Sequence, residues 1–379
     1  MRILVVSYEY PPLGGGGGSA AAQFARAWVR KGHDVTVVTS ASAALPRFTD
    51  DAGVAVHRLP VPGRSDRATA SLLSLLGFPL LAVRFVRQEL AKDFDVVNSF
   101  FAIPSGVGGT ILARAWHRPH VVSILGGDVY DPSKRLSPHR TPALKQTVAT
   151  VLRTAHRVVA ESSDLARRAE AIYDLRQPVT VIPLGLDLPP AGPTRSIRRP
   201  VVIASMARLV RRKLLHQLIQ AFAALPDGLA RLVIVGDGPQ RAALEQTVAA
   251  LGLCERVELP GYVSEAEKLD ILRGADVFAL VSEHEGFGMV YLEAASQALP
   301  IVASTVGGQL DFLEHGRTGW LVPPGDVPQL AHALGTLATQ PVLRQWMGRQ
   351  SLAVSRRYHV DQVADTYLAL FEDVQRNGG

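Results

Sequence analysis

Short β-branched runs alternate with longer helical patterns along nearly the whole chain, and the alternation occurs twice. Buried strands spaced by helices are the pattern of a doubly wound parallel sheet covered on both faces. Arg2 to Ser7 reads as a fully buried strand, followed by a glycine loop and a helix from about Ser19 to Lys31. Val35 to Thr39, Val54 to Leu59, Val96 to Asn98, Val121 to Leu125 and Val158 to Glu161 read as further strands. Around Leu184 to Pro200 the pattern lapses into Leu-Gly-Leu-Asp-Leu-Pro-Pro-Ala-Gly-Pro, which reads as a linker. It restarts with Val201 to Ser205, Leu232 to Val235, Val257 to Leu259, Val277 to Ser282 and Pro300 to Ala303, and a helix from about Asp361 to Gln375 follows. A length of 379 residues fits two such doubly wound α/β domains, 1–190 and 191–360.

Two α/β halves imply a cleft onto which both present the carboxyl ends of their strands, where ligands of open sheets bind. The polar residues fall at those ends: Tyr8 to Gly18, Gly126-Gly127-Asp128, Ala207-Arg208, Gly236-Asp237-Gly238, Gly261-Tyr262 and Glu283-His284-Glu285-Gly286. The run Gly14 to Gly18 lies between a strand and a helix, where backbone amides can hold an anion. It is not a dinucleotide fingerprint: Ser19 stands where the third glycine belongs, and the second strand ends Val38-Thr39-Ser40 with no acid. No Walker lysine follows. Nicotinamide enzymes and P-loop ATPases are therefore disfavoured. The competing reading of the glycines is a flexible loop, although exposed glycines are entropically costly unless a backbone must approach something closely.

Metal chemistry has little support. Cys254 is the single cysteine, which excludes an internal disulfide and a cysteine zinc cluster and fits a reducing compartment. The 11 histidines form no ligand pair at metal spacing. Asp93-Phe94-Asp95 superficially resembles an Asp-x-Asp metal-binding motif, but it precedes its strand and so faces away from the expected cleft. No metal site is expected.

The net charge of +6 is unevenly placed, with 22 Lys and Arg against 15 Asp and Glu over residues 1–190. A basic half suits an anionic partner such as a phospholipid surface, an acidic substrate or nucleic acid; a solvated arginine-rich surface is the plain alternative. The first apolar run, Ile3 to Ser7, meets Tyr8 and Glu9 too early for a signal peptide. Leu72 to Val83 is broken by Ser74, Gly77 and Pro79, well short of the about 20 apolar residues a membrane span needs. A soluble, cytoplasmic protein is expected. The segment Ser71 to Lys92, with Leu72, Leu73, Leu75, Leu76, Leu80 and Leu81 near Arg67, Arg84, Arg87 and Lys92, would touch the inner membrane face if the ligand of this half is lipid-linked; otherwise it packs on its own sheet with Pro79 as a kink.

In the second half, Arg208 sits where a buried strand ends and Lys213 lies near the start of the next helix. Two such cations suit a diphosphate, Arg as a bidentate fork and Lys as a point charge. Removing either is expected to cut turnover and leave the fold intact. Glu285 lies in a loop and Glu293 within the helix starting near Gly288, with seven residues between. A helical turn displaces the two carboxylates by several ångströms, too far to share one proton but suited to gripping two hydroxyl-bearing groups of one long ligand.

These residues resemble a family. Val201 to Gly325 resembles the nucleotide-binding half of retaining GT-B glycosyltransferases of family 4 (glycosyl transferases group 1). The landmarks are Ala207-Arg208-Leu209 with Lys213, Val235-Gly236-Asp237-Gly238-Pro239 and Pro260-Gly261-Tyr262-Val263. The Glu-x7-Glu signature follows as Glu285-Gly286-Phe287-Gly288 with Leu292-Glu293-Ala294, then Gly307-Gly308 and Gly316-x2-Gly319-x-Leu321-Val322. The first half is similar more loosely, through Pro11-Pro12-x-Gly14-Gly15. The resemblance implies two Rossmann-like domains facing a cleft, the first for the acceptor and the second for the nucleotide sugar, with the C-terminal helix (361–379) crossing back onto the first. It implies that Arg208 and Lys213 neutralise the leaving diphosphate and Glu293 holds the ribose. Glu285 with Gly286 and the Phe287 and Gly288 amides would orient the donor sugar. Gly236 would belong to the donor site, the Tyr262-Val263 backbone would touch the base, and Gly15 and Gly16 would approach the diphosphate or acceptor.

The implied reaction is metal-independent, retaining transfer from a nucleotide sugar (a co-substrate, with no resident cofactor) to a glycan, lipid-linked or small-molecule hydroxyl. A UDP-sugar is favoured and GDP-mannose is the second choice; nucleic acid is not an expected partner. Two positions depart from the family. Leu125-Gly126-Gly127-Asp128 lacks the usual histidine, leaving Asp128 either an acceptor-side catalytic role or a loop-holding one, and Leu214 replaces the glycine that usually follows the lysine. A nucleotide-sugar epimerase of the same architecture and a non-catalytic sugar-nucleotide-binding protein are the alternatives.

Overall fold

The computed structural model describes residues 1–42, 44–64, 71–90, 93–133, 136–187, 189–190, 192 and 200–377. Two compact units are present, Met1–Asp187 with His359–Gly379, and Leu188–Tyr358. Each is a doubly wound α/β unit.

The first unit runs β1 (Arg2–Ser7), α1 (Gly16–Arg30), β2 (Asp34–Ala41), β3 (Phe48–Asp51), β4 (Val54–Pro60), α2 (Leu72–Glu89), β5 (Val96–Phe100), α3 (Ser105–Trp116), β6 (His120–Ile124), α4 (Pro142–Thr154), β7 (Arg157–Ala160), α5 (Ser163–Tyr173) and β8 (Thr180–Val181). The sheet order is β3-β4-β2-β1-β5-β6-β7-β8. All neighbours pair parallel except β3, which is antiparallel to β4. Ile3 to Val6 on the central strand are fully buried, as two covered faces require.

The second unit runs β9 (Val201–Met206), α6 (Leu215–Ala223), β10 (Ala230–Val235), α7 (Arg241–Ala250), β11 (Val257–Gly261), α8 (Glu265–Gly274), β12 (Val277–Leu280), α9 (Met289–Ser296), β13 (Ile301–Ser304), β14 (Gly319–Val322), α10 (Val327–Thr339) and α11 (Pro341–Ser355). Its all-parallel sheet has the order β11-β10-β9-β12-β13-β14. The chain leaves β9 towards β10 on one side and returns to β12 on the other, so the topological switch point lies beyond the carboxyl ends of β9 and β12.

Helix α12 (Val360–Asn377) then completes the first unit. Its Tyr367 ring lies 4.8 Å from Phe24 and 5.7 Å from Trp28, and Phe371 lies 5.2 Å from Trp28, all four side chains being buried. The Tyr367 hydroxyl donates to Ser123 Oγ at 3.0 Å. Around this aromatic seam Arg30, Lys31 and Arg157 pair with Asp361, Asp365 and Asp373 of α12. Part of the positive excess of the first half is thus answered by carboxylates from the far end of the sequence.

Local differences from the sequence reading have physical causes. Helix α1 begins at Gly16, inside the glycine run, rather than near Ser19. A Cβ at Gly17 would collide with the Phe101 and Leu125 side chains, so close packing accounts for that glycine. The charged edge strand β3 shows no apolar alternation to betray it. The expected linker is folded at its start: Leu184 and Leu186 are buried, and Leu186 accepts from the Val360 amide at 2.9 Å. Most of its remainder, with Arg67 and Lys92 of the basic leucine segment, lies outside the described residues. Pro79 sits buried within a continuous α2.

Candidate active site

In the second unit the β9 and β12 loops are stitched together at the switch point. Arg208 follows β9, and Arg211–Lys213 form a short 3₁₀ turn. The Glu283 amide donates to the Arg212 carbonyl at 2.8 Å, and the Arg212 guanidinium returns a bond to the His284 carbonyl at 2.9 Å. Between these, Lys213 Nζ is ion-paired with Glu285 Oε1, which also accepts from Ser282 Oγ at 2.6 Å. Lys213 and Glu285 are 9% and 6% exposed. Burial alone would raise the Glu285 carboxyl, but the Lys213 and Arg212 cations and the Ser282 hydroxyl hold it below the usual carboxylate range. Burial pulls Lys213 down, with Glu285 opposing and Arg212 assisting.

This geometry corrects the expectation that both cations can be removed without harm to the fold. Arg208 is an exposed side chain, but Lys213 is the internal counter-ion of a buried carboxylate, and deleting one partner of such a pair leaves an uncompensated charge. Leu214, the second departure from the resembled pattern, adopts a left-handed conformation with φ 46° and is buried. Glycine adopts such a backbone most freely, and leucine holds it here beside the paired Lys213.

The glycine landmarks serve this cluster. At Gly307, with φ 111°, a Cβ would come within 2.8 Å of the Glu285 carbonyl, and Gly308 donates its amide to that same carbonyl at 2.9 Å. Gly236 passes so close to the Ala207 carbonyl that no side chain fits, and its amide donates to Gly261 at 2.8 Å. Phe287 is buried against Phe312, at 5.1 Å, so any ligand contact at this position would be through its backbone; Gly286 and Gly288 flank it, and Gly288 caps α9. Beyond β11, the Tyr262 side chain is 75% exposed and Val263 is half-buried.

Glu293, on α9, has different partners. Its Oε1 accepts from Lys268 Nζ on α8 at 2.9 Å, and Lys268 also pairs with Glu265 at 2.6 Å. Burial would lower Lys268, but Glu293 and Glu265 raise it above the ordinary lysine value. Arg208, Lys213, Gly236, Tyr262, Val263, Glu285, Gly286, Phe287 and Gly288 thus all belong to the loops that follow the strands of a single sheet, and Glu293 to the helix that follows the last of these loops. Ser282, Arg212 and Lys268 join them and were not anticipated. A serine three residues before Glu285 was a visible signal, whereas nothing in the sequence links Lys268 to Glu293.

In the first unit, Gly15 and Gly16 are exposed. The Gly15 amide is already committed to Glu9 Oε2 at 2.9 Å, so an anion seeking that amide must displace Glu9. Asp128 is buried, with Oδ2 accepting from the Ala102 amide at 2.6 Å and Oδ1 from Leu125 at 3.0 Å, tying the β5 and β6 loops together. Asp93 and Asp95 both engage Arg2, through its side chain and its amide. Among the described residues no group of three His, Cys, Asp or Glu side chains is placed to hold a metal, and no helix is long and apolar enough to cross a membrane.

Comparison with known proteins matches two family models, "Glycosyltransferase Family 4" over residues 14–189 and "Glycosyl transferases group 1" over 194–352. A D-inositol 3-phosphate glycosyltransferase of Stackebrandtia nassauensis is 28% identical, covering 99% of this chain and 92% of its own. An N-acetyl-alpha-D-glucosaminyl L-malate synthase of Bacillus anthracis is 23% identical over 100% and 98%. Among solved structures, Anabaena HepE in complex with UDP and glucose superposes with a TM-score of 0.76 at 22% identity, over 98% of this chain and 100% of that one.

Proposed function

The chain belongs to the family 4 glycosyltransferases, of GT-B fold, and we propose that it moves a sugar with retention from a nucleoside diphosphate sugar, a UDP-sugar before GDP-mannose, to a hydroxyl group without a metal. The observation that carries this is the buried Lys213–Glu285 pair at the switch point, with Glu293 on the next helix and the exposed Arg208 in the loop that follows β9. An arrangement of two cations and two separately anchored carboxylates suits an elongated ligand with a diphosphate between two hydroxyl-rich ends.

Charge builds on the diphosphate as the glycosidic bond breaks, and Arg208 and Lys213 stabilise it; preorganised charges act where charge develops. The leaving phosphate takes the acceptor's proton in a front-face attack, so the protein supplies positioning and field rather than a separate base. Glu285, held by Ser282 and Lys213, orients the donor sugar together with Gly286 and the Phe287 and Gly288 amides. Glu293 accepts from the ribose hydroxyls, and the Tyr262-Val263 backbone meets the base. For Asp128 the loop-holding role is preferred, since both its oxygens accept backbone amides. The names of the relatives from Stackebrandtia and Bacillus favour a small polar acceptor. UDP-glucose, with which Anabaena HepE has also been crystallised, is the first donor to try.

The test pairs product analysis with calorimetry. Proton NMR of the product should show the donor's anomeric configuration, with turnover unaffected by chelator. Glu293→Gln should weaken both donor and free UDP or GDP, whereas Glu285→Gln should spare the free nucleotide and impair donor use. A lost hydrogen bond to a charged group costs about 1.5–3 kcal/mol, and only for a ligand that makes it. An inverted product, a strict metal requirement, or nucleotide binding indifferent to both substitutions would overturn the assignment.

A further inference from the structure

Helix α2 turns one face to its own core and leaves the opposite one bare. Ser74, Phe78, Ala82 and Val86 are buried, with Leu75 and Leu81 packed at the margin of the same core. Leu72, Leu73, Leu76 and Leu80 are 61%, 64%, 63% and 70% exposed. Residues 73, 76, 80, 84 and 87 follow three- and four-residue spacings and lie in one line along the helix. That line reads Leu-Leu-Leu-Arg-Arg, with both arginines exposed.

We propose that this face docks on an anionic phospholipid surface, the leucines entering the headgroup boundary and Arg84 and Arg87 meeting lipid phosphates. The stripe is apolar for its first two turns and basic thereafter, with no acid on it, the composition of a helix that lies in a membrane interface. Arginine stems extend along apolar surface while their heads reach charge, so the two ends of the stripe can be satisfied together. A second copy of the chain fits less well. Laid antiparallel, two α2 helices would set leucines against desolvated guanidinium groups; laid parallel, they would bring like charges together. The helix belongs to the first unit and Arg208, Lys213, Glu285 and Glu293 to the second, and the vesicle assay needs no donor, so the inference stands or falls independently of the donor chemistry.

The full chain is floated with phosphatidylcholine vesicles, with or without phosphatidylglycerol, at low and high salt. Binding is expected on the anionic vesicles only, and salt should weaken it. Leu76→Asp with Leu80→Asp, and separately Arg84→Glu with Arg87→Glu, should each lower the vesicle partition coefficient by at least about tenfold, with unchanged melting temperature. Leu73→Ser with Leu80→Ser gives a milder check should the aspartates disturb folding. Absence of binding, equal retention on neutral vesicles at every salt, or variants that bind as the wild type does would overturn the proposal. So would a concentration-dependent dimer, seen by light scattering and abolished by Leu76→Asp, in a chain that ignores vesicles.

Discussion

Lys268 Nζ lies 2.9 Å from Glu293 Oε1, joining α8 to α9 across 25 residues of sequence. Both side chains are about one-fifth exposed, and Glu265 supplies Lys268 with a second carboxylate at 2.6 Å. The carboxylate assigned to the ribose is thereby held in one orientation before any ligand arrives.

Lys268→Met should therefore loosen nucleotide binding without touching the nucleotide. A roughly tenfold rise in the calorimetric Kd for the free nucleoside diphosphate is expected, equivalent to about 1.4 kcal/mol. Lys268→Arg should recover most of it. An unchanged Kd in Lys268→Met would mean that Glu293 keeps its place unaided.

The two cations should separate. Arg208→Ala removes an exposed side chain, so turnover should fall by roughly 100- to 1,000-fold at an unchanged melting temperature. Lys213→Ala strips the buried Glu285 of its counter-ion, and unfolding in urea should show a loss of about 3–5 kcal/mol. Adding Glu285→Gln to Lys213→Ala should restore part of that stability but none of the turnover. Equal stability of the two single variants would count against a buried pair.

Leu214→Gly sets two effects against each other. Relief of the left-handed backbone is worth about 1–2 kcal/mol, whereas losing a buried leucine costs about 2–5 kcal/mol. A net loss of up to about 4 kcal/mol is expected in chemical denaturation. A stabilised variant would show that backbone strain dominates.

Acid sensitivity should come from the first unit. His120 is fully enclosed, donating or accepting at Ser99 Oγ over 2.9 Å, and burial with His156 nearby pushes its imidazole down to about 3. The unfolded chain binds a proton near pH 6.5 that the folded chain refuses, so this contribution is complete above that pH and declines as pH falls towards 3. His120 alone should give the unfolding free energy a slope of about 1.4 kcal/mol per pH unit between those limits. His120→Gln should flatten the slope by about one proton. An unaltered slope would indicate that His120 opens to solvent before unfolding begins.

The fold was legible because apolar runs such as Ile3 to Val6 and Val277 to Leu280 are buried on both faces, and continuous apolar strands admit few architectures. The Glu285 and Glu293 neighbourhood was legible because its glycines have backbone causes, as Gly307 shows against the Glu285 carbonyl. Partnership was not legible. Lys213 as counter-ion to Glu285 and Lys268 as support for Glu293 are contacts between distant segments with no local periodicity to announce them. Likewise the leucines of α2 look alike in sequence, yet Leu75 packs against the core while Leu76 faces out.

The aromatic seam closed by Tyr367 and Phe371 has a consequence for biosynthesis. The ribosome makes every residue of the second unit before it makes the helix that finishes the first. Until then Phe24 and Trp28 emerge with one side of their packing missing, and a partly built sheet with an open apolar seam is prone to stick to its neighbours. Vectorial folding from the amino end, the usual order for two successive domains, is denied to this chain. Nascent fragments halted before residue 360 should accordingly need chaperone protection that the released chain does not.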